Sequence, residues 1–181
     1  MKAVNLENVQ EAGTGNGLKA GGYICKYTQV KDVPDKQYLL MEFDVADGEF
    51  TDYYKKLEEK HGFWGGTCYR SYKENALPMF KRMCSAVSKS NPGFIFDGGA
   101  QNADESTLVG KLVGLVLGEE EYNKNNGEIG TRLYVAYECD IEKINKRDYK
   151  VPAKKVLEQP ASTNNGFVNI PDGVVEELPF T

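Results

Sequence analysis

Between residues 37 and 46, Leu39, Met41, Phe43 and Val45 alternate with Tyr38, Leu40, Glu42 and Asp44. A period of two sends successive side chains to opposite faces, so this run predicts a strand with one buried face. Ahead of it, residues 21–33 are rich in β-branched and aromatic residues, and Pro34-Asp35 supplies a turn. That pattern predicts a first strand paired with the second. Asp47-Gly48 is a favoured hairpin turn, which predicts a short third strand over residues 49–54. A charged helical turn over residues 55–60 then ends at Gly62.

The period changes after residue 76. Leu77, Phe80, Cys84 and Val87 recur at spacings of three and four, with Asn75 placed to cap and Asn91-Pro92-Gly93 placed to stop, so residues 76–89 read as an amphipathic helix. A polar loop follows over residues 98–107. Residues 108–122 set Leu115, Val116 and Leu117 among Gly110, Gly114 and Gly118, which suits a strand that bends sharply. Residues 123–127 form a hairpin loop, and in residues 130–139 Leu133, Val135 and Tyr137 alternate with Arg132, Tyr134 and Glu138. The predicted order is strand, strand, strand, helix, strand, strand. That is the order of the OB-fold, so the fold class is mainly β: an OB-fold-like five-stranded barrel with one main amphipathic helix.

Composition divides the chain. With 181 residues and 40% apolar content it suffices for one well-buried domain and a tail. Residues 1–19 read as a flexible leader, since Gly13-Thr14-Gly15-Asn16-Gly17 lacks the Gly-Lys-Ser/Thr of a phosphate-binding loop. Residues 20–157 form the OB-fold-like domain. Residues 158–181, rich in turn-forming residues, read as a disordered acidic tail. The overall charge of −5 argues against a polyanionic partner only until it is located. The tail carries four acids and no base, leaving residues 1–157 with 22 basic and 23 acidic groups. A nearly neutral body can still present a local basic face. No stretch approaches the ~20 apolar residues of a membrane span, so the expectation is a cytoplasmic protein without a membrane partner. Four scattered cysteines and a single histidine point to reduced, buried thiols, with no metal and no cofactor.

Candidate chemistry concentrates after Gly62. Trp64, Tyr69, Arg70, Tyr72 and Lys73 interleave rings with cations around a diglycine, and Lys26, Arg132 and Tyr134 can share a sheet face if the strands pair as read. Lys124 falls in the loop between the fourth and fifth strands, at the barrel rim. Cations that track phosphates, beside rings on which unpaired bases stack at about 1–3 kcal/mol each, are what a single nucleic-acid strand requires. Glu119-Glu120-Glu121 offers a competing reading as a Mg²⁺ site of a nuclease. Neighbouring strand residues point to opposite faces, however, so at most Glu119 and Glu121 converge. No nucleophile and base stand together, and the expectation is a protein that is not an enzyme.

Residues 64–73 (Trp-Gly-Gly-Thr-Cys-Tyr-Arg-Ser-Tyr-Lys), Gly118-Glu119-Glu120-Glu121-Tyr122, Thr131-Arg132-Leu133 and Asp148-Tyr149-Lys150-Val151-Pro152 occur in that order. In these motifs the chain resembles single-stranded-DNA-binding proteins from the replication modules of phages of Gram-positive bacteria, over roughly residues 20–155. The ending Glu176, Glu177, Leu178, Pro179, Phe180 is similar to the acidic tip of the wider single-strand-binding class. The resemblance implies single-stranded DNA as partner, a role in DNA replication or recombination, and recruitment of replication or recombination proteins by the tip. The usual tip ends on Phe, whereas Thr181 follows Phe180 here. Homo-oligomerisation is compatible with a long strand edge. The alternative function is a protein-interaction module that binds a replication or repair protein without touching nucleic acid.

Overall fold

The computed structural model describes residues 17–99 and 101–157, so most of the expected leader and all of the expected tail lie outside the described residues. Leu18, assigned above to the leader, is buried in the core.

Five antiparallel strands form one sheet in the order β3-β2-β1-β4-β5. They are β1 (Gly21–Val33), β2 (Tyr38–Val45), β3 (Thr67–Ser71), β4 (Leu112–Asn123) and β5 (Ile129–Cys139). β1 is long enough to serve two neighbours: Cys25 pairs with Val45 on β2 and with Val113 on β4. Residue 28 bulges out of the ladder with β2, because Tyr27 pairs with Phe43 and Gln29 with Glu42. The bulge keeps both Tyr27 and Val30 packed on the core.

The third strand is not at residues 49–54. There the chain turns and enters α1 (Tyr53–His61), and the third strand comes later, at Thr67–Ser71. The cause is Asp44, a buried carboxylate that accepts backbone N–H bonds from Val45, Tyr54 and Lys55 at 2.8, 2.8 and 3.1 Å. Two of those donors belong to the first turn of α1, where no partner exists within the helix. A side chain from β2 therefore supplies what a local cap would, and Asp52 makes no side-chain cap bond. Gly62 ends α1 in the left-handed conformation, as the sequence predicts.

Gly66 explains the diglycine. A Cβ there would lie 2.2 Å from the Phe43 carbonyl oxygen and 2.7 Å from the Tyr54 ring. Only a bare backbone fits between β2 and α1, and its carbonyl accepts the Phe43 N–H at 2.8 Å.

α2 (Leu77–Ser90) buries Met83, Cys84, Ala86, Val87 and Ser90 and packs across β4 and β5. Asn75 falls in a 3-10 turn, Glu74–Ala76, and makes no cap bond; Pro78 opens the helix instead. At the other end Asn91 donates to the carbonyls of Val87 and Leu112 and accepts the Leu112 N–H, fastening α2 to β4.

β5 departs from strict alternation. Val116 pairs with Tyr137 but Leu117 with Val135, so residue 136 is a bulge. Beyond it the phase reverses: Glu138 turns inward with Val135 and is fully buried, while Tyr137 joins Tyr134 on the outer face. The expected grouping of Tyr137 with Leu133, and of Glu138 with Arg132, is thereby corrected. A short α3 (Ile141–Asn145), capped by Asp140 accepting the Lys143 N–H, packs on β1 and β4. The chain then runs back beside β4, where Lys155 bridges Glu120 in parallel.

The sheet curls until its edges meet. Arg70 on β3 donates from Nε to Glu138 on β5 at 2.5 Å and from Nη2 to the Val135 carbonyl at 3.3 Å. Among the described residues no helix is long and apolar enough to cross a membrane.

Candidate functional site

Where the two edge strands approach, a groove of about 480 Å³ opens, lined by Tyr69 and Arg70 from β3, Glu120 from β4, and Arg132, Leu133 and Tyr134 from β5. Four of the residues singled out in the sequence, Tyr69, Arg70, Arg132 and Tyr134, are brought together here by the curl of the sheet.

Each plays a different part. The Tyr69 ring is 58% exposed and rests edge-on against Tyr38 at 5.4 Å, a supported ring with a free surface. Arg70 is turned inward and holds Glu138, so its charge is spent on the closure. Arg132 is 63% exposed; its Nε donates to Glu120 at 2.8 Å and its guanidinium lies over the Tyr122 ring at 5.4 Å. The Tyr134 ring carries the Lys155 ammonium 3.6 Å from its centroid. Gly118 lies beneath that ring: a Cβ there would come within 2.9 Å of it.

Lys155, Lys154 and Tyr122 are not among the candidate contact residues that the sequence offers. The two lysines arrive on the returning segment, held by backbone bonds from Lys155 N–H to the Glu119 carbonyl and from Glu121 N–H to the Lys155 carbonyl, both 2.9 Å. Lys154 pairs with Glu121 at 2.9 Å and Lys155 with Glu120 at 3.7 Å. The Lys154 hydrogen bond, helped by the Leu157 N–H, holds the Glu121 carboxyl below its ordinary range. Arg132 and Lys155 thus meet Glu120 on the groove side of β4, while Lys154 and Glu121 pair on its opposite face. The adjacent lysines after Pro152 were the available signal in the sequence.

Other candidates lie elsewhere. Lys26 shares the outer face but stands opposite Leu112, whereas Tyr134 stands opposite Gly118. Six residues along β4 separate them by about 20 Å, and Lys26 is occupied by Asp52 at 3.4 Å. Trp64 is half-buried, its indole N–H donating to the Gly66 carbonyl at 3.0 Å and its ring lying 6.2 Å from that of Tyr54, so it packs the entrance to β3. Tyr72 donates to Asp32 at 2.9 Å and leans on Phe80, facing α2. Lys73 is exposed ahead of the 3-10 turn. Lys124 sits at the hairpin tip, paired with Glu128 at 3.1 Å. Glu176, Glu177, Leu178, Pro179 and Phe180 lie outside the described residues.

Glu120 and Glu121 face cations, and no group of three metal-ligating side chains occurs among the described residues. His61 is exposed at the end of α1, its ring 6.3 Å from that of Phe63.

The arrangement presents an exposed ring, cations held above two further rings, and an apolar floor at Leu133. Such a surface suits an anionic, unpaired polymer with flat groups. In comparison with known proteins, the chain matches no family model and no curated protein.

Proposed function

We propose that the protein is a non-catalytic single-stranded-DNA binder acting in phage DNA replication or recombination in the bacterial cytoplasm. The observation that carries this reading is the groove between β3 and β5, which the exposed Tyr69 ring lines together with Arg132 and the Lys155-covered ring of Tyr134. Stacking on Tyr69 and phosphate contacts to Arg132 and Lys155 supply the two forces that single-strand binding needs.

The fold reading that accompanies it is an OB-type barrel. In support, the sheet order β3-β2-β1-β4-β5, joined at its ends by Arg70 and Glu138, makes a five-strand ring with a helix between the third and fourth strands. Tyr38 and Tyr69 lie on the β2–β3 face, and Lys124 lies in the β4–β5 loop, two places where such barrels grip oligonucleotides. Recruitment of replication proteins by residues 176–180 rests on the sequence alone.

An electrophoretic shift comparing oligo-dT, duplex DNA and RNA, with light scattering on the free protein, tests the reading. A shift with oligo-dT that weakens steeply with salt supports it; no shift at any salt overturns it.

A second reading has its own observation. An apolar groove of about 910 Å³ runs along α2 beside Leu77 and Ile95, which are 47% and 52% exposed. A protein-interaction module would use that face, and its associations would be insensitive to salt.

A further inference from the structure

A second groove, of about 470 Å³, lies between α2 and α3 at the far end of β5. Arg82 and Lys89 reach it from α2, Lys143 from α3, and Arg147 and Lys150 from the segment that follows. Glu138, Asp140 and Asp148 are the carboxylates that line it. Glu138 is buried and held by Arg70, and Asp140 is engaged as the cap of α3. None of the five cations forms an ion pair with a described residue, unlike those of the first groove. Arg82 is held flat, its guanidinium 4.6 Å from the centre of the Tyr137 ring. Five cations against three carboxylates, Asp148 included, leave the small hollow with an excess of two positive charges, and an anion seated there relieves their repulsion.

The two grooves lie on successive stretches of one strand. β5 lines the first with Arg132, Leu133, Tyr134 and Val135 and the second with Tyr137, Glu138 and Cys139. The bulge at residue 136 keeps Tyr134 and Tyr137 on the same outer face. The returning segment also spans both: Lys150 holds the Tyr137 hydroxyl through its backbone, at 2.9 and 3.0 Å, and Lys155 covers Tyr134.

We propose that the α2–α3 groove binds the backbone phosphates of the same DNA strand as it leaves the β3–β5 groove, so that β5 underlies one track with a stacking end and a purely electrostatic end. This rests on the single-strand-binding reading above. A strand long enough to fill both grooves gains contacts that a short one lacks.

The test is anisotropy of labelled oligo-dT, about 6 and about 30 nucleotides long, chosen to bracket the usual site size. Wild type is compared with Lys89→Gln/Lys143→Gln/Arg147→Gln, three exposed positions, and with the charge-matched Lys19→Gln/Lys55→Gln/Lys60→Gln. The groove variant is expected to bind the short oligomer as wild type does, to bind the long one about tenfold or more weakly, and to lose about 2 from its salt slope, about 0.7 for each released phosphate contact. The charge-matched variant is expected to change neither. Unchanged binding of the long oligomer by the groove variant overturns the proposal, as does equal weakening at both lengths or equal weakening by the charge-matched variant. Binding of a poly-glutamate peptide that the groove variant alone loses, with DNA affinity intact, overturns it in favour of an acidic protein partner. If wild type binds neither oligomer, the single-strand reading falls and the track with it, whereas intact short-oligomer binding with no groove effect removes only the track.

Discussion

Arg70 Nε and Glu138 Oε1 lie 2.5 Å apart, although 68 residues separate them and no backbone ladder joins their strands. The pair is the fastening between the two edges of the sheet, and it is almost sealed: the side chains are 11% and 0% exposed. Burial pushes the Glu138 carboxyl above its ordinary range even with the guanidinium beside it. Glu138 Oε2 has no hydrogen-bond partner among the described atoms.

A buried ion pair loses much of its attraction to desolvation, but breaking it leaves a lone charge in the core. Arg70→Met alone is therefore expected to cost about 3–5 kcal/mol in urea unfolding, while Arg70→Met with Glu138→Leu returns stability to near wild type or above it. A double variant as unstable as the single one would show that the pair gives the fold more than charge neutralisation.

Burial also sets the thiol chemistry. Cys84 and Cys139 are pushed up to about 11 and Cys68 to about 12, from an ordinary value of 9.0, by desolvation above all. In the folded chain these groups keep their protons where the unfolded chain has lost them. Their contribution to stability is therefore full below about pH 9 and is lost as pH rises through 11 and 12. Urea midpoints are expected to hold between pH 7 and 9 and fall by pH 10.5. Thiol-reactive dye at pH 8 should label the native protein slowly and all four cysteines promptly in denaturant.

Asp44 answers for α1. Its carboxylate takes three backbone donors in the interior, two of them from the first turn of the helix. Asp44→Ala leaves those donors unpaired and is expected to cost about 2 kcal/mol or more, beyond an ordinary cap loss. Hydrogen exchange would locate the damage: amides at residues 54–61 should lose protection first.

How far these features are legible in the sequence depends on where their causes lie. The alternation in β2, the spacing of Phe80, Cys84 and Val87 in α2, and the turns before β2 and β5 are local, so pattern alone places them. β3 escaped because its causes are remote. Residues 49–54 carry strand-like composition, but Asp44 claims Tyr54 and Lys55 for a helix. The five residues of β3, Thr67–Ser71, mix rings and cations and read as a binding cluster before they read as a strand. In the structure they are a strand in which Cys68 and Arg70 face inward while Tyr69 faces out. The bulge in β5 adds one residue that no period announces, and it moves Glu138 from the surface to the interior. Lys155 reaches Tyr134 and Glu120 beside the groove only because the chain returns along β4, a contact that exists only in three dimensions.

Equilibrium anisotropy of labelled oligo-dT across a salt series, with wild type beside Tyr69→Ala and Arg132→Ala, tests the central claim most directly. Tight binding by wild type, a linear fall of log affinity with log salt, a loss of about 1–3 kcal/mol for Tyr69→Ala and a shallower slope by about 0.7 for Arg132→Ala are the predicted results. Equal affinity for all three proteins, or no binding by wild type at low salt, would contradict it.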